Sequence, residues 1–101
     1  MIYALNVYDI IPGKEDQYAA YVQQISPLFE HFDMAIVAAG DKPIRTLMGQ
    51  SRNHFALVRF ADIDQFDGFM TAMTEHDCHK LREGSTENYI WTLYEPWGFN
   101  Q

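Results

Sequence analysis

One pattern occurs twice in the sequence and decides the fold, first as Tyr3-Ala4-Leu5-Asn6-Val7-Tyr8 and again as Phe55-Ala56-Leu57-Val58-Arg59-Phe60. Both stretches contain an aromatic residue, Ala, Leu, two variable positions and a second aromatic residue. Each leads through an Asp into an amphipathic segment of helical period. Two such halves predict an α+β, ferredoxin-like βαββαβ sheet with its helices on one face. The other face of this sheet needs cover, which we expect a second copy of the chain to supply.

Length and charge limit the class of protein. A chain of 101 residues predicts a single domain over residues 1–101 with one core. The net charge of −7 and the scattered Lys and Arg residues argue against nucleic-acid and membrane partners, which recruit clustered basic side chains. The single Cys78 cannot form an internal disulfide, and no apolar run is long enough to span a bilayer. We therefore expect a cytoplasmic protein.

The apolar pattern also predicts how the first helix is built. An apolar stripe runs from Tyr18 to Phe32 at steps of three and four residues. Pro27 lies inside this stripe and removes a backbone hydrogen-bond donor, so we expect a break near Ile25, with Ser26 capping the second piece.

Further strands and a second helix follow along the chain. Main strands are expected at Ile2 to Asp9, His54 to Phe60 and Asn88 to Tyr94. Met34 to Ala39 and Ile44 to Met48 are expected to form a hairpin or one bulged strand. Asp62 is expected to cap a helix whose inward positions are Ile63, Phe66, Phe69, Met70 and Met73.

The order of these elements resembles the dimeric α/β-barrel superfamily. The residues that carry the resemblance are Tyr18-Ala19-Ala20-Tyr21-Val22, the mid-helix Pro27, His31 at the helix end, Phe60, and the stretch from Glu75 to Arg82. Within the superfamily, the chain is similar to a family of small bacterial proteins of unassigned function. The resemblance implies a homodimer whose two sheets meet face to face, with a pocket between each sheet and its own helices.

A second resemblance is to antibiotic-biosynthesis and heme-degrading monooxygenases of the same superfamily. These enzymes place an Asn on the first strand, a Trp on the second helix and, in heme-binding members, a His ten residues after that Trp. Asn6, Phe69 and His79 fall in similar places, with Phe69 in the position of the Trp. We expect Asn6 to polarise a ligand and His31 or His79 to carry a proton. No resident cofactor is expected, and heme is the alternative.

The candidate catalytic residues each have a structural alternative. Asn6 is a polar side chain in an apolar strand, so it either polarises a ligand or bonds to neighbouring protein groups. His31 either acts as an acid or base, or is stabilised by the dipole of the helix that it ends. Arg59, a candidate for ligand binding, either clamps a substrate carboxylate, or forms a salt bridge at a dimer interface, or lies at an exposed strand end.

The run His76-Asp77-Cys78-His79 places three potential metal ligands together. Because no second group of ligands completes a tetrahedral site, no metal site is predicted. The alternative is a polar helix end in which Cys78 is a small buried filler.

A pocket lined by aromatic and Met side chains favours a flat apolar ligand. Tyr8, Tyr89, Trp91 and Tyr94 are expected to line either this pocket or the dimer interface. The predicted ligand-binding residues are Tyr8, Arg59, Phe66, Phe69 and Trp91.

The sequence leaves three functions open. The first is a homodimer that binds an apolar or aromatic small molecule between sheet and helices, with a cofactor-free monooxygenase or isomerase as its catalytic form. The second is a non-catalytic ligand-binding or assembly module, and the third is a heme-binding or heme-degrading protein. An Asn6 that faces a cavity favours the first function, whereas an Asn6 bonded to backbone in a filled core favours the second.

Overall fold

A computed structural model describes residues 1–98 of the protein. Its strands are β1 (Ile2–Ile10), β2 (Met34–Asp41), β3 (His54–Phe60) and β4 (Thr86–Tyr94). Its helices are α1 (Glu15–Ile25), α2 (Pro27–His31), α3 (Ile63–Glu75) and α4 (Cys78–Ser85). Among these helices, none combines the length and the apolar character that crossing a bilayer requires.

The strands form one antiparallel sheet in the order β2-β3-β1-β4. The repeated sequence pattern occupies the two central strands, where Leu5 lies opposite Leu57. Ala4 and Phe60 alternate with these positions and point to the other face, where they pack in one core with Met73 of α3. The predicted α+β ferredoxin-like sheet, with helices on one face, is confirmed.

Pro27 breaks the first helix, as predicted. It occupies the first turn of α2, where a missing N–H removes no helical hydrogen bond. The predicted cap at Ser26 is wrong, because its hydroxyl donates to the carbonyl of Val22 at 2.6 Å and leaves α2 without a side-chain cap. The backbone of Ser26 is itself helical, at φ −54° and ψ −40°, whereas a capping residue takes an extended conformation.

Asp62 caps α3, as predicted, because its Oδ1 accepts a hydrogen bond from the backbone N–H of Gln65 at 2.8 Å. Ile63 does not face inward as expected. It is 48% exposed at the first position of the helix and lies outside the core cluster. The other predicted inward positions lie in the core or pack against it, namely Phe66, Phe69, Met70 and Met73.

The segment between β2 and β3 differs from the prediction. β2 extends to Asp41 and has a bulge between Ile36 and Ala38. The predicted strand Ile44 to Met48 is absent. β3 takes the place of the hairpin partner of β2, so this segment becomes part of the connection between the two strands. Its apolar side chains at positions 44, 47 and 48 are 101%, 88% and 93% exposed.

Candidate functional site

A cavity of about 130 Å³ lies between the sheet and the helices. Its walls are aromatic and aliphatic side chains from the inner face of the sheet, from α1 and α2, and from Phe69 of α3. No Asp, Glu, Lys, Arg or His lines it within residues 1–98. Since an apolar protein cavity of about 150 Å³ holds benzene, this cavity has room for one six-membered ring.

The cavity reaches the surface beside the edge strand β2. Val22 on α1 and Ile36 on β2 both line it, and they are 41% and 52% exposed. Tyr8 and Phe60, which also line it, are almost completely buried. The cavity therefore opens between α1 and β2.

Asn6 lies in the wall of this cavity and is 5% exposed. Its Oδ1 accepts a hydrogen bond from the hydroxyl of Tyr89 at 2.6 Å. Its Nδ2 donates to the carbonyl of Ala56 at 3.3 Å and to that of Ala4 at 3.5 Å. Asn6 thus faces a cavity and also bonds to backbone, so its burial does not separate the two leading functions. Both hydrogens of its amide are directed at protein carbonyls.

Four phenols form a tyrosine cluster along the same wall, namely Tyr8, Tyr18, Tyr21 and Tyr89. The hydroxyls of Tyr8 and Tyr18 share a hydrogen bond of 2.5 Å, and the Tyr8 ring stacks on Tyr89 with 4.7 Å between centroids. Burial raises the pKa of all four phenols, that of Tyr21 to about 12. At neutral pH these hydroxyls are therefore protonated and serve as hydrogen-bond donors.

His54 lies beside the tyrosine cluster, although the sequence pattern predicts no functional role for it. Its ring stacks on Tyr8 with 5.7 Å between centroids. Its Nδ1 lies 2.5 Å from Oδ1 of Asn53. That amide is oriented by Ile10, whose N–H donates to Oδ1 at 2.9 Å and whose carbonyl accepts from Nδ2 at 3.3 Å. Because Oδ1 only accepts, Nδ1 of His54 carries a hydrogen in this contact.

Arg82 of α4 packs against the aromatic side chains at the other end of the wall. The guanidinium carbon lies 5.4 Å from the ring centroid of Tyr89 and 5.5 Å from that of Trp91, both within the range of cation–π contacts. Among the described residues, Nε of Arg82 and Nε1 of Trp91 are buried without a hydrogen-bond partner.

The structure brings half of the predicted site residues together. The predicted residues that line the cavity are Asn6, Tyr8, Phe69 and Trp91. Tyr89 lines it as well, whereas Tyr94 lies on the outer face of the sheet, opposite Tyr3, and is 51% exposed.

The other predicted site residues lie outside the cavity. His31 is exposed at the end of α2, and Nδ1 of His79 contacts the carbonyl of His76 at 2.7 Å. Phe66 packs behind the wall, edge-on to Trp91. Arg59 lies opposite Tyr3 on the outer face of the sheet, away from the helices.

The run from His76 to His79 is held together by local hydrogen bonds. Nδ1 of His76 accepts from the backbone N–H of Cys78 at 3.0 Å. Cys78 is completely buried in the core, and burial raises the pKa of its thiol. Across residues 1–98, no group of three or more His, Cys, Asp or Glu side chains is placed to hold a metal ion.

Solved proteins of low sequence identity share this fold. A protein of unknown function from Rhodopseudomonas palustris is 20% identical, with a TM-score of 0.81 over 95% of this chain and 82% of that chain. A nipsnap family protein of unknown function from Agrobacterium tumefaciens is 14% identical, with a TM-score of 0.68 over 99% of this chain and 91% of that chain.

A dimeric protein of unknown function with a ferredoxin-like fold, from Bacteroides fragilis, is also similar. It is 14% identical, with a TM-score of 0.60 over 94% of this chain and 95% of that chain. At such identities the likeness establishes the fold alone. No curated protein matches the chain.

A family model covers nearly all of the described chain. The family is described as "Domain of unknown function (DUF1330)", and its model matches residues 2–94. This match confirms the resemblance to a family of small bacterial proteins of unassigned function. The chain belongs to the DUF1330 family.

Proposed function

We propose that the chain binds a neutral, largely apolar molecule with a single ring in the cavity between its sheet and helices. The observation that carries the proposal is a wall of aromatic and aliphatic side chains without a charged residue among residues 1–98. An unpaired charge costs several kcal/mol to bury, so such a wall disfavours carboxylates, phosphates and amines. Flat side chains such as Phe29, Phe60 and Phe69 suit the face or edge of a ring.

Catalysis in the same cavity, as a cofactor-free monooxygenase or isomerase, is the second candidate function. The observation that favours it is the imidazole of His54, which lies outside the cavity but stacks on Tyr8 of its wall, so that a potential base lies next to the hydroxyls of the Tyr8–Tyr18 pair. In this version His54 takes the proton-carrying role that the sequence analysis predicts for His31 or His79. A non-catalytic binding module is the alternative, because it needs no base.

Heme does not fit this cavity. Its macrocycle is several times larger than one six-membered ring, whereas the cavity volume is about 130 Å³. No His, Cys or charged side chain lines the cavity within the described chain to ligate an iron atom.

A second copy of the chain is the proposed cover for the outer face of the sheet. This face carries large apolar side chains, of which Phe55, Ile90 and Tyr94 are 41%, 50% and 51% exposed. Contiguous exposed apolar surface of this kind is typical of an interface. The similar protein from Bacteroides fragilis is described as dimeric. Two copies related by a twofold axis present the same face to each other, so the outer face of each sheet covers the outer face of the other.

α-Methylstyrene, a neutral hydrocarbon with one ring, tests the proposed binding. We expect it to shift the backbone amide resonances of the cavity wall in ¹H–¹⁵N NMR titrations of the wild-type protein. Ala56→Leu places a larger side chain in the wall, where it competes with the ligand for the same space. We expect this variant to bind at least about tenfold more weakly.

Ala19→Leu is the matched control for this experiment. It makes the same change on the exposed surface of α1, at a residue that does not line the cavity. We expect it to bind α-methylstyrene as the wild type does. The proposal fails if the wild type does not bind, or if Ala56→Leu binds as tightly as the wild type.

A further inference from the structure

The cavity wall leaves one phenolic hydrogen without an acceptor. The hydroxyls of Tyr8 and Tyr18 bond to each other, and that bond uses the hydrogen of only one of them. The second hydrogen has no acceptor among the described residues. Tyr8 is 4% exposed, Tyr18 is half-buried and both residues line the cavity, so a molecule bound there lies next to this pair of hydroxyls. A buried donor without an acceptor is unfavourable, and a bound molecule that accepts relieves it.

The other hydroxyl and amide groups of the wall are already paired. Both hydrogens of the Asn6 amide point to backbone carbonyls, and the Tyr89 hydroxyl donates to Oδ1 of Asn6. The Tyr21 hydroxyl donates to the sulfur of Met73 at 3.6 Å, and the Ser26 hydroxyl donates to a carbonyl of α1. Among these described groups, the free hydrogen of the Tyr8–Tyr18 pair and Nε1 of Trp91 are therefore the donors left for a ligand, and each of them favours a molecule that accepts a hydrogen bond.

We propose that the ligand carries a carbonyl oxygen that accepts the free hydrogen of the Tyr8–Tyr18 pair, which makes it a neutral carbonyl compound built on one ring. This inference rests on the proposed function and names the ligand class. A carbonyl supplies an acceptor and brings no hydrogen that needs an acceptor of its own. An amine or a carboxylate adds a charge that the wall does not balance.

The position of the pair in the cavity supports this assignment over the other unpaired donor, Nε1 of Trp91. The indole of Trp91 packs against Phe66 of α3 and Arg82 of α4. Tyr18 instead lies on α1, one turn before Val22, on the helix that forms the entrance. A ring that enters between α1 and β2 therefore passes the tyrosine pair.

Acetophenone and α-methylstyrene form a matched pair of probes, because they share ring and branching and differ only in a carbonyl oxygen against a methylene group. Titrations of both probes give an affinity ratio for each variant, in which effects of shape and cavity size cancel. In the double variant Tyr8→Phe/Tyr18→Phe, we expect the ratio to shift by about tenfold against acetophenone. α-Methylstyrene should still bind. The double variant is expected to fold, since replacing both partners of a hydrogen bond by apolar groups of the same shape is nearly neutral.

Tyr21→Phe and Trp91→Phe are the controls, since each removes one other polar group of the wall. We expect both to keep the wild-type ratio. An unchanged ratio in the double variant overturns the inference, and so does a tenfold shift in Trp91→Phe. If neither probe binds the wild type, both the proposed function and this inference fail. If α-methylstyrene binds and the ratios do not differ, only the carbonyl assignment fails.

An infrared measurement on the wild type needs no variant. Acetophenone labelled with ¹³C at the carbonyl is expected to show a stretch at lower frequency in the protein than in a hydrocarbon solvent, because a phenol donates to its oxygen. A bound probe whose stretch stays at the hydrocarbon value overturns the inference.

Discussion

The protein is expected to unfold cooperatively as the pH rises above about 10, because the tyrosine cluster cannot ionise in the folded state. Burial is the main cause that raises the pKa of Tyr8, Tyr18 and Tyr89, and it raises that of Tyr21 to about 12. In the unfolded chain these phenols ionise with a pKa of about 10. The folded state therefore retains hydrogens that the unfolded state releases. Stability from this source is complete below pH 10 and falls as the pH rises through the window above it.

The size of this effect follows from proton linkage. Each phenol that stays protonated only in the folded state lowers the free energy of unfolding by about 1.4 kcal/mol per pH unit. Four such phenols together lower it by about 5 kcal/mol per unit, which approaches the whole stability of a small domain. For Tyr21 the window runs from about 10 to about 12, and for the other three phenols, whose pKa burial also raises, it begins at about 10.

Tyrosinate absorbance and far-ultraviolet circular dichroism, followed together against pH, test this prediction. We expect the tyrosinate absorbance of the four cluster phenols to rise over the same narrow pH range in which the circular dichroism of the helices is lost. Tyr18→Phe has one phenol fewer to ionise, so its free energy of unfolding should fall less steeply with pH. Full ionisation of every tyrosine while the native spectrum persists contradicts the burial of the cluster.

Leu57→Glu is expected to turn the proposed dimer into a monomer. Leu57 lies opposite Leu5 at the centre of the outer face. In a twofold dimer, the substitution buries two carboxylates without partners near the axis. A buried charge without a partner costs about 3–5 kcal/mol, so the dimer should weaken by at least about a hundredfold. Light scattering coupled to size-exclusion chromatography measures the change.

Ile63→Glu is the matched control for the dimer. Ile63 is 48% exposed in the first turn of α3, on the opposite side of the sheet, where an acidic residue is favourable to the helix dipole. This variant should elute with the wild type as a dimer. A wild-type protein that is monomeric at micromolar concentration, or a Leu57→Glu variant that stays dimeric, contradicts the proposed interface.

Strands whose side chains alternate strictly between the two faces of the sheet were predictable from the sequence. The predicted bounds of β3, His54 to Phe60, agree with the structure, because Val58 and Phe60 alternate with Leu57 and Arg59 between the two faces. The segment from Ile44 to Met48 has a similar apolar content, yet it is no strand. Strand formation depends on a partner, and β3 already pairs with β2. The apolar pattern within a segment does not show which of two segments pairs with a given strand.

The site was less predictable, because its residues meet through packing between distant elements. Tyr18 belongs to the apolar stripe of α1, and nothing in that stripe shows that its hydroxyl meets Tyr8. The cluster also depends on an irregularity in β4, where the register with β1 shifts next to Asn88, whose φ is +54°. The position of His31 followed from a family resemblance, and the short α2 ends with that residue exposed to solvent.

A crystal of the protein soaked with bromobenzene tests the central claim most directly, because the anomalous signal of bromine locates one neutral ring without a fitted model. We predict a bromine peak inside the cavity, enclosed by Phe29, Phe69 and the tyrosine cluster. Bromine peaks only on the outer surface, with none between the sheet and the helices, would contradict the account.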